Sequence, residues 1–170
     1  MEAVAAMVLG VVFFMQAWQL FGPSQPKTTG IVGAAGAIGM AALVAWKPLD
    51  MLTKAEVAAL SISVALWAIY AVLLAAEGLW GFDTRGFGLY SIFPAVGAIG
   101  QVVYSSMPNY FSLLGIICGI VNVVAFGIVF LYLGIPLRGL KSATAWVLVV
   151  VGVIHGLLSA MAIMKVPGLL

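Results

Sequence analysis

Six long apolar runs, at residues 3–22, 29–46, 56–77, 87–105, 109–133 and 143–164, constrain the fold of this chain more than any motif does. Each is close to the ~20 residues an α-helix needs to cross the hydrocarbon layer of a bilayer. The breaks between them carry residues that end helices. Gly22-Pro23-Ser24-Gln25-Pro26-Lys27 closes the first run and Lys47-Pro48-Leu49-Asp50 the second. Gly81-Phe82-Asp83-Thr84-Arg85-Gly86 closes the third, Ser105-Ser106-Met107-Pro108-Asn109 the fourth and Gly134-Ile135-Pro136-Leu137-Arg138 the fifth. Of the 170 residues, 65% are hydrophobic and 7% charged, against roughly a quarter charged in soluble proteins. Such a chain cannot cover a water-facing surface. In lipid every backbone N–H and C=O must be paired inside the protein, which leaves helices for runs of this length. The expectation is an all-α integral membrane protein: one transmembrane domain over residues 1–170, built as a six-helix bundle.

Charge and cysteine usage exclude several functions. A net charge of +2, spread along the chain, gives no basic patch for nucleic acid. Cys118 is the only cysteine and His155 the only histidine, so neither an internal disulfide nor a Cys/His metal site is available. Met1-Glu2-Ala3 lacks the basic start of a cleaved signal, so the first run reads as a permanent helix. Lys27, Arg85, Arg138 and Lys141 fall on one side of the bundle and Lys47, Lys54 and Lys165 on the other. By the positive-inside rule this split favours both termini outside.

Small residues recur within the runs. Gly30, Gly33, Gly36 and Gly39 repeat every third position, and Gly115 and Gly119 form a GxxxG. Such residues let helix backbones approach closely in lipid, either within the chain or between subunits.

Ion-driven transport normally requires carboxylates, lysines or histidines at membrane depth. Here Glu56 and Glu77 fall near the ends of the third run. The polar groups deeper inside are neutral: Gln16, Ser61, Ser63, Tyr70, Ser91, Gln101, Tyr104, Asn122, His155 and Ser159. That inventory suits a path for a small neutral solute, which needs a few hydrogen-bond partners, no counter-ion and tight apolar walls. Each of these residues is also explained by bonding to a neighbouring helix. No nucleophile–base pair, carboxylate pair, phosphate-binding loop or metal-ligand spacing occurs, so nothing argues for an enzyme or a cofactor.

Three stretches resemble the AmiS/UreI family of urea and amide channels. Pro26-Lys27-Thr28-Thr29, after a first run holding Gly10 and Gln16, is similar to the family's Pro-Lys-Ser-Thr. Gly81-Phe82-Asp83-Thr84-Arg85-Gly86-Phe87-Gly88-Leu89-Tyr90-Ser91-Ile92-Phe93 resembles its Gly-Leu-Asp-x-Arg-x-x-x-Trp-Tyr-Ser-Leu-Phe. Ile135-Pro136-Leu137 followed by Trp146 resembles the residues bracketing its last loop. In order, they cover nearly the whole chain. The resemblance implies a passive channel for urea or short-chain amides in the bacterial cytoplasmic membrane, assembled as a ring of six protomers that each enclose a pore. It also implies the lining. Ala6, Leu9 and Phe13 match the family's apolar positions on the first helix, and Trp67 and Tyr70 its aromatics on the third. Two tryptophans of the fifth helix fall at Ile120 and Val124, and a glutamate of the sixth at Val151. His155 lies one turn further on the face of Val151 and, with Asn122 and Gln16, would supply polar contacts. The histidine-rich loops associated with acid gating have no counterpart here, so a constitutively open pore with little pH dependence is expected. Two other readings stay open: a secondary transporter of another small neutral solute, and a structural subunit of a membrane complex.

Overall fold

Proline, glycine and short polar side chains decide where the helices start and stop. The computed structural model describes residues 2–46, 55–135 and 137–165, with side chains except those of Glu2, residues 55–60 and Arg138. The loop with Lys47, Pro48, Asp50 and Lys54, the position of Pro136 and the side chain of Glu56 therefore lie outside the described residues. α1 (Glu2–Phe21) ends at Gly22, whose φ of +107° is a left-handed conformation that favours glycine. α2 (Pro26–Ala45) begins three residues before the apolar run does, because Pro26 occupies its first turn, where a missing N–H costs nothing. α3 (Ala55–Trp80) outlasts its expected end and stops at Gly81, φ +69°.

The break expected at residues 81–86 shrinks to three residues. Asp83 caps the next helix, its Oδ1 accepting from Arg85 N at 3.0 Å and its Oδ2 from Gly86 N at 3.2 Å. The fourth crossing is not one helix as expected. It is α4 (Thr84–Tyr90) and α5 (Ile92–Ser105), separated at Ser91. Pro94 explains the break, since it has no N–H to donate to the carbonyl of Tyr90. The fifth crossing starts at residue 113 rather than 109. Residues Pro108–Tyr110 form a separate 3₁₀ turn, and Ser112 caps α6 (Leu113–Val129) by accepting from Gly115 N at 3.1 Å. A π turn, Phe130–Gly134, finishes that crossing, and α7 (Lys141–Ile163) is the last.

Among the described residues, six helical stretches are long and apolar enough to cross a membrane. They close a ring in chain order. α1 packs on α2, α2 on α3, α3 on α5, α5 on α6, α6 on α7, and α7 returns to α1. An even number of crossings puts the start of α1 and the end of α7 on the same face.

Glycines set the tightest seams. A methyl group on Gly10 would lie 2.8 Å from His155 Cβ and 2.9 Å from Gly152 O, so α1 and α7 touch through backbone. On Gly33 it would lie 2.9 Å from Ala71 O of α3, and on Gly36 2.7 Å from Val12 of α1. On Gly119 it would lie 3.1 Å from Ala98 O of α5. The glycine stripe and the GxxxG thus serve packing within the chain, except at Gly39, which faces open space.

Candidate functional site

Each helix turns one face to the centre of the ring, and helical spacing selects the side chains that meet there. On α1 these are Leu9, Phe13 and Gln16, at i, i+4 and i+7, none more than 3% exposed. α3 contributes Trp67, Tyr70 and Leu74, and Phe87 enters from α4. α6 presents Asn122 and Phe126; α7 presents Leu148, Val151, His155 and Ser159.

Aromatic rings block the middle of the axis. Phe13 meets Phe126 at 5.1 Å between ring centroids, Tyr70 at 5.7 Å and His155 at 6.1 Å, all edge-to-face. Tyr70 closes the set against Phe126 at 4.9 Å and Phe87 at 4.8 Å. Such pairs hold each ring by the attraction between a positive edge and a negative face. Leu9, Phe13, Trp67, Tyr70 and Phe126 are all buried to 1% exposure or less, so side chains fill the bundle at this level.

Polar groups sit on both sides of the aromatic closure. Toward the end of α1, Tyr70 Oη donates to Gln16 Oε1 at 2.6 Å. Further along, Gln19 Nε2 reaches the Glu77 carboxylate at 3.3 and 3.4 Å. Apart from the half-buried Glu77, every charged side chain among the described residues is exposed.

Toward the start of α1 the polar atoms are differently placed. His155 Nδ1 lies 2.9 Å from Val151 O and donates to it, which leaves Nε2 as an acceptor. That Nε2, both amide atoms of Asn122 and the Ser159 hydroxyl are buried without a hydrogen-bond partner among the described residues. All three residues are 0% exposed. Buried polar atoms are usually paired, and each that is not carries a desolvation cost of about 1–3 kcal/mol.

The structure thus brings together Leu9, Phe13, Gln16, Trp67, Tyr70, Asn122, Val151 and His155. It does not bring Ile120 and Val124 there. They are 51% and 50% exposed on the outer surface of α6, because each lies two residues, about 200°, from the inward-facing Asn122. Phe126 takes the aromatic position on α6, and Phe87 adds a second ring; neither was expected. The signal for Phe126 was present, since it lies four residues from Asn122 and shares its face. Ser159 likewise lies four residues beyond His155.

No family model and no curated protein sequence matches this chain. Two solved structures do. The urea channel of Helicobacter pylori in its closed state, determined by cryo-electron microscopy, superposes with a TM-score of 0.77 at 16% identity. The crystal structure of the urea channel from the same human gastric pathogen gives 0.74 at 15% identity. Each match covers 97% of this chain and 98% of the other. The six-helix bundle expected from the apolar runs is the one found, and this chain has the urea-channel fold.

Proposed function

We propose that this chain is a passive channel for urea or small aliphatic amides, with its route along the bundle axis. The observation that carries the reading is an axis lined by neutral hydrogen-bonding groups and aromatic rings, with no charged side chain among the described residues at the closure. A neutral planar solute can exchange a few water contacts at a time for Gln16, Tyr70, Asn122 and His155 while ions are excluded. The likeness to the urea channel supports this route. The conformation described is closed, unlike the constitutively open pore expected, because Phe13, Tyr70 and Phe126 pack against one another, and these rings must part for a solute to pass.

Gating by acid is not part of the proposal. The chain has a single histidine, and it lies within α7 rather than in a loop. By the same resemblance the channel sits in the bacterial cytoplasmic membrane and assembles as a homo-oligomeric ring, and the Lys and Arg distribution favours both termini outside. The apolar outer faces bearing Ile120, Val124, Val96 and Ile99 meet lipid or neighbouring protomers.

The test is stopped-flow light scattering on proteoliposomes given urea, acetamide or glycerol at pH 5 and pH 8. Fast urea or acetamide entry at both pH values is expected. Entry no faster than into empty vesicles would overturn the reading.

A further inference from the structure

The unpartnered polar atoms near the start of α1 occupy a defined layer. Cys118 of α6, Ala162 of α7 and Ala6 of α1 pack in one buried cluster. Phe126 and Phe13 form the aromatic closure. Asn122 is midway between Cys118 and Phe126, about 6 Å from each along the helix. His155 touches the edge of Phe13, and Ser159, one turn on, precedes Ala162 by three residues. Asn122, His155 and Ser159 therefore share the layer between the apolar cluster and the aromatic closure, on adjacent helices that pack together. Their free atoms do not reach one another, since none has a hydrogen bond to any described group.

The chemistry of these atoms specifies a ligand. His155 Nε2 accepts only, because Nδ1 holds the proton shared with Val151 O. Asn122 offers one carbonyl acceptor and two N–H donors, and Ser159 one hydroxyl that does both. A primary amide complements that set: its two N–H groups suit His155 Nε2 and Asn122 Oδ1, and its carbonyl accepts from Asn122 Nδ2 or Ser159 Oγ. The rings of Phe13 and Phe126 close one side of the layer with apolar surface, which suits a flat molecule with a small methyl or amino substituent.

We propose that Asn122, His155 and Ser159 form a binding niche for one planar primary amide or urea molecule, on the terminus-bearing side of the aromatic closure. The niche rests on the channel reading above and deepens it. It makes these three residues the ones that choose the solute, and because all three are fully buried in the closed conformation, the layer must part to admit it. Occupancy has to be weak, with a dissociation constant of order 1–100 mM, since a tightly held solute would not leave.

Saturation-transfer NMR with acetamide, on the purified protein in lipid nanodiscs, tests binding separately from transport. Transfer to acetamide is expected with the native chain, and weaker transfer to glycerol. Asn122→Leu combined with Ser159→Ala is expected to weaken the apparent affinity at least about tenfold. Ser159→Ala alone removes one oxygen and is expected to weaken it about fivefold; it carries the test if the double variant does not fold. Equal transfer in native and folded variant proteins, or none in the native protein, overturns the niche. Parallel uptake measurements separate the two ideas. Binding without uptake sinks the channel and keeps the niche, whereas uptake without binding does the reverse.

Discussion

Replacing Phe13 with leucine tests whether the aromatic closure holds the pathway shut. Leucine keeps an apolar side chain at a fully buried position while abolishing the ring contacts with Phe126 at 5.1 Å and Tyr70 at 5.7 Å. Each edge-to-face pair contributes about 0.5–1.5 kcal/mol beyond area burial. Two of them stabilise the closed arrangement by about 1–3 kcal/mol. If opening requires both pairs to separate, their loss raises the open-to-closed ratio by about 5- to 150-fold. Urea or acetamide uptake by proteoliposomes should rise by at least about fivefold, measured by stopped-flow scattering at equal protein density. Phe126→Leu should act in the same direction, because Phe126 also meets Tyr70. Trp146→Leu is the control, since Trp146 packs on Phe21 and is 60% exposed at the outer surface. Its uptake should stay at the native rate. Unchanged or slower uptake through a folded Phe13→Leu protein would refute the idea that these rings form the barrier.

Tyr70→Phe leaves Gln16 Oε1 without its donor in a buried site. It should lower stability by about 1–3 kcal/mol, read as a drop in detergent melting temperature, and adding Gln16→Leu should recover most of the loss. Gly78→Ala would drive a methyl group against Pro26 O and, at 2.9 Å, the backbone of Gly30. It should destabilise by at least about 1–3 kcal/mol, whereas Gly39→Ala, with nothing nearby, should stabilise by about 0.5–1 kcal/mol. Melting curves of the two variants moving together would contradict the seam between α2 and α3. Solute uptake should change by less than about twofold between pH 5 and pH 8, as the one histidine lies within α7 with Nδ1 already bonded to Val151 O; a several-fold rise on acidification would show that acid gates the channel.

Much of the architecture was legible because the membrane reduces the choices. Runs of about 20 apolar residues admit helices only, and their ends are written in Pro26, Gly22 and Gly81. The fourth crossing is legible as a span but its break is not, because hydropathy does not register a helix break. Ser91 and Pro94 are tolerated in an apolar run, and only the missing N–H of Pro94 reveals that α4 and α5 are separate. The start of the fifth crossing was set too early for a similar reason. Tyr110 and Phe111 extend the apolar stretch, but Ser112 is the residue whose side chain can cap the helix.

The interior was legible wherever one helix face could be argued by itself. Leu9, Phe13 and Gln16 fall on one stripe of α1, and Val151 and His155 on one stripe of α7. On α6 the expectation contained its own contradiction. Ile120 and Val124 share a face, being four residues apart, while Asn122 lies between them in sequence and about 160° away around the helix. No single helix can point all three at one axis. The cost of burying a lone asparagine against lipid resolves the conflict, because an amide facing hydrocarbon loses its hydrogen bonds entirely. Asn122 must therefore turn inward, which carries Phe126 with it and sends Ile120 and Val124 out. A two-residue offset in the resemblance was enough to put the expected aromatic positions on the wrong side. The same rotation sets Asn122 beside the layer of His155 and Ser159, so the proposed niche falls where polarity, rather than resemblance, fixes the helix face.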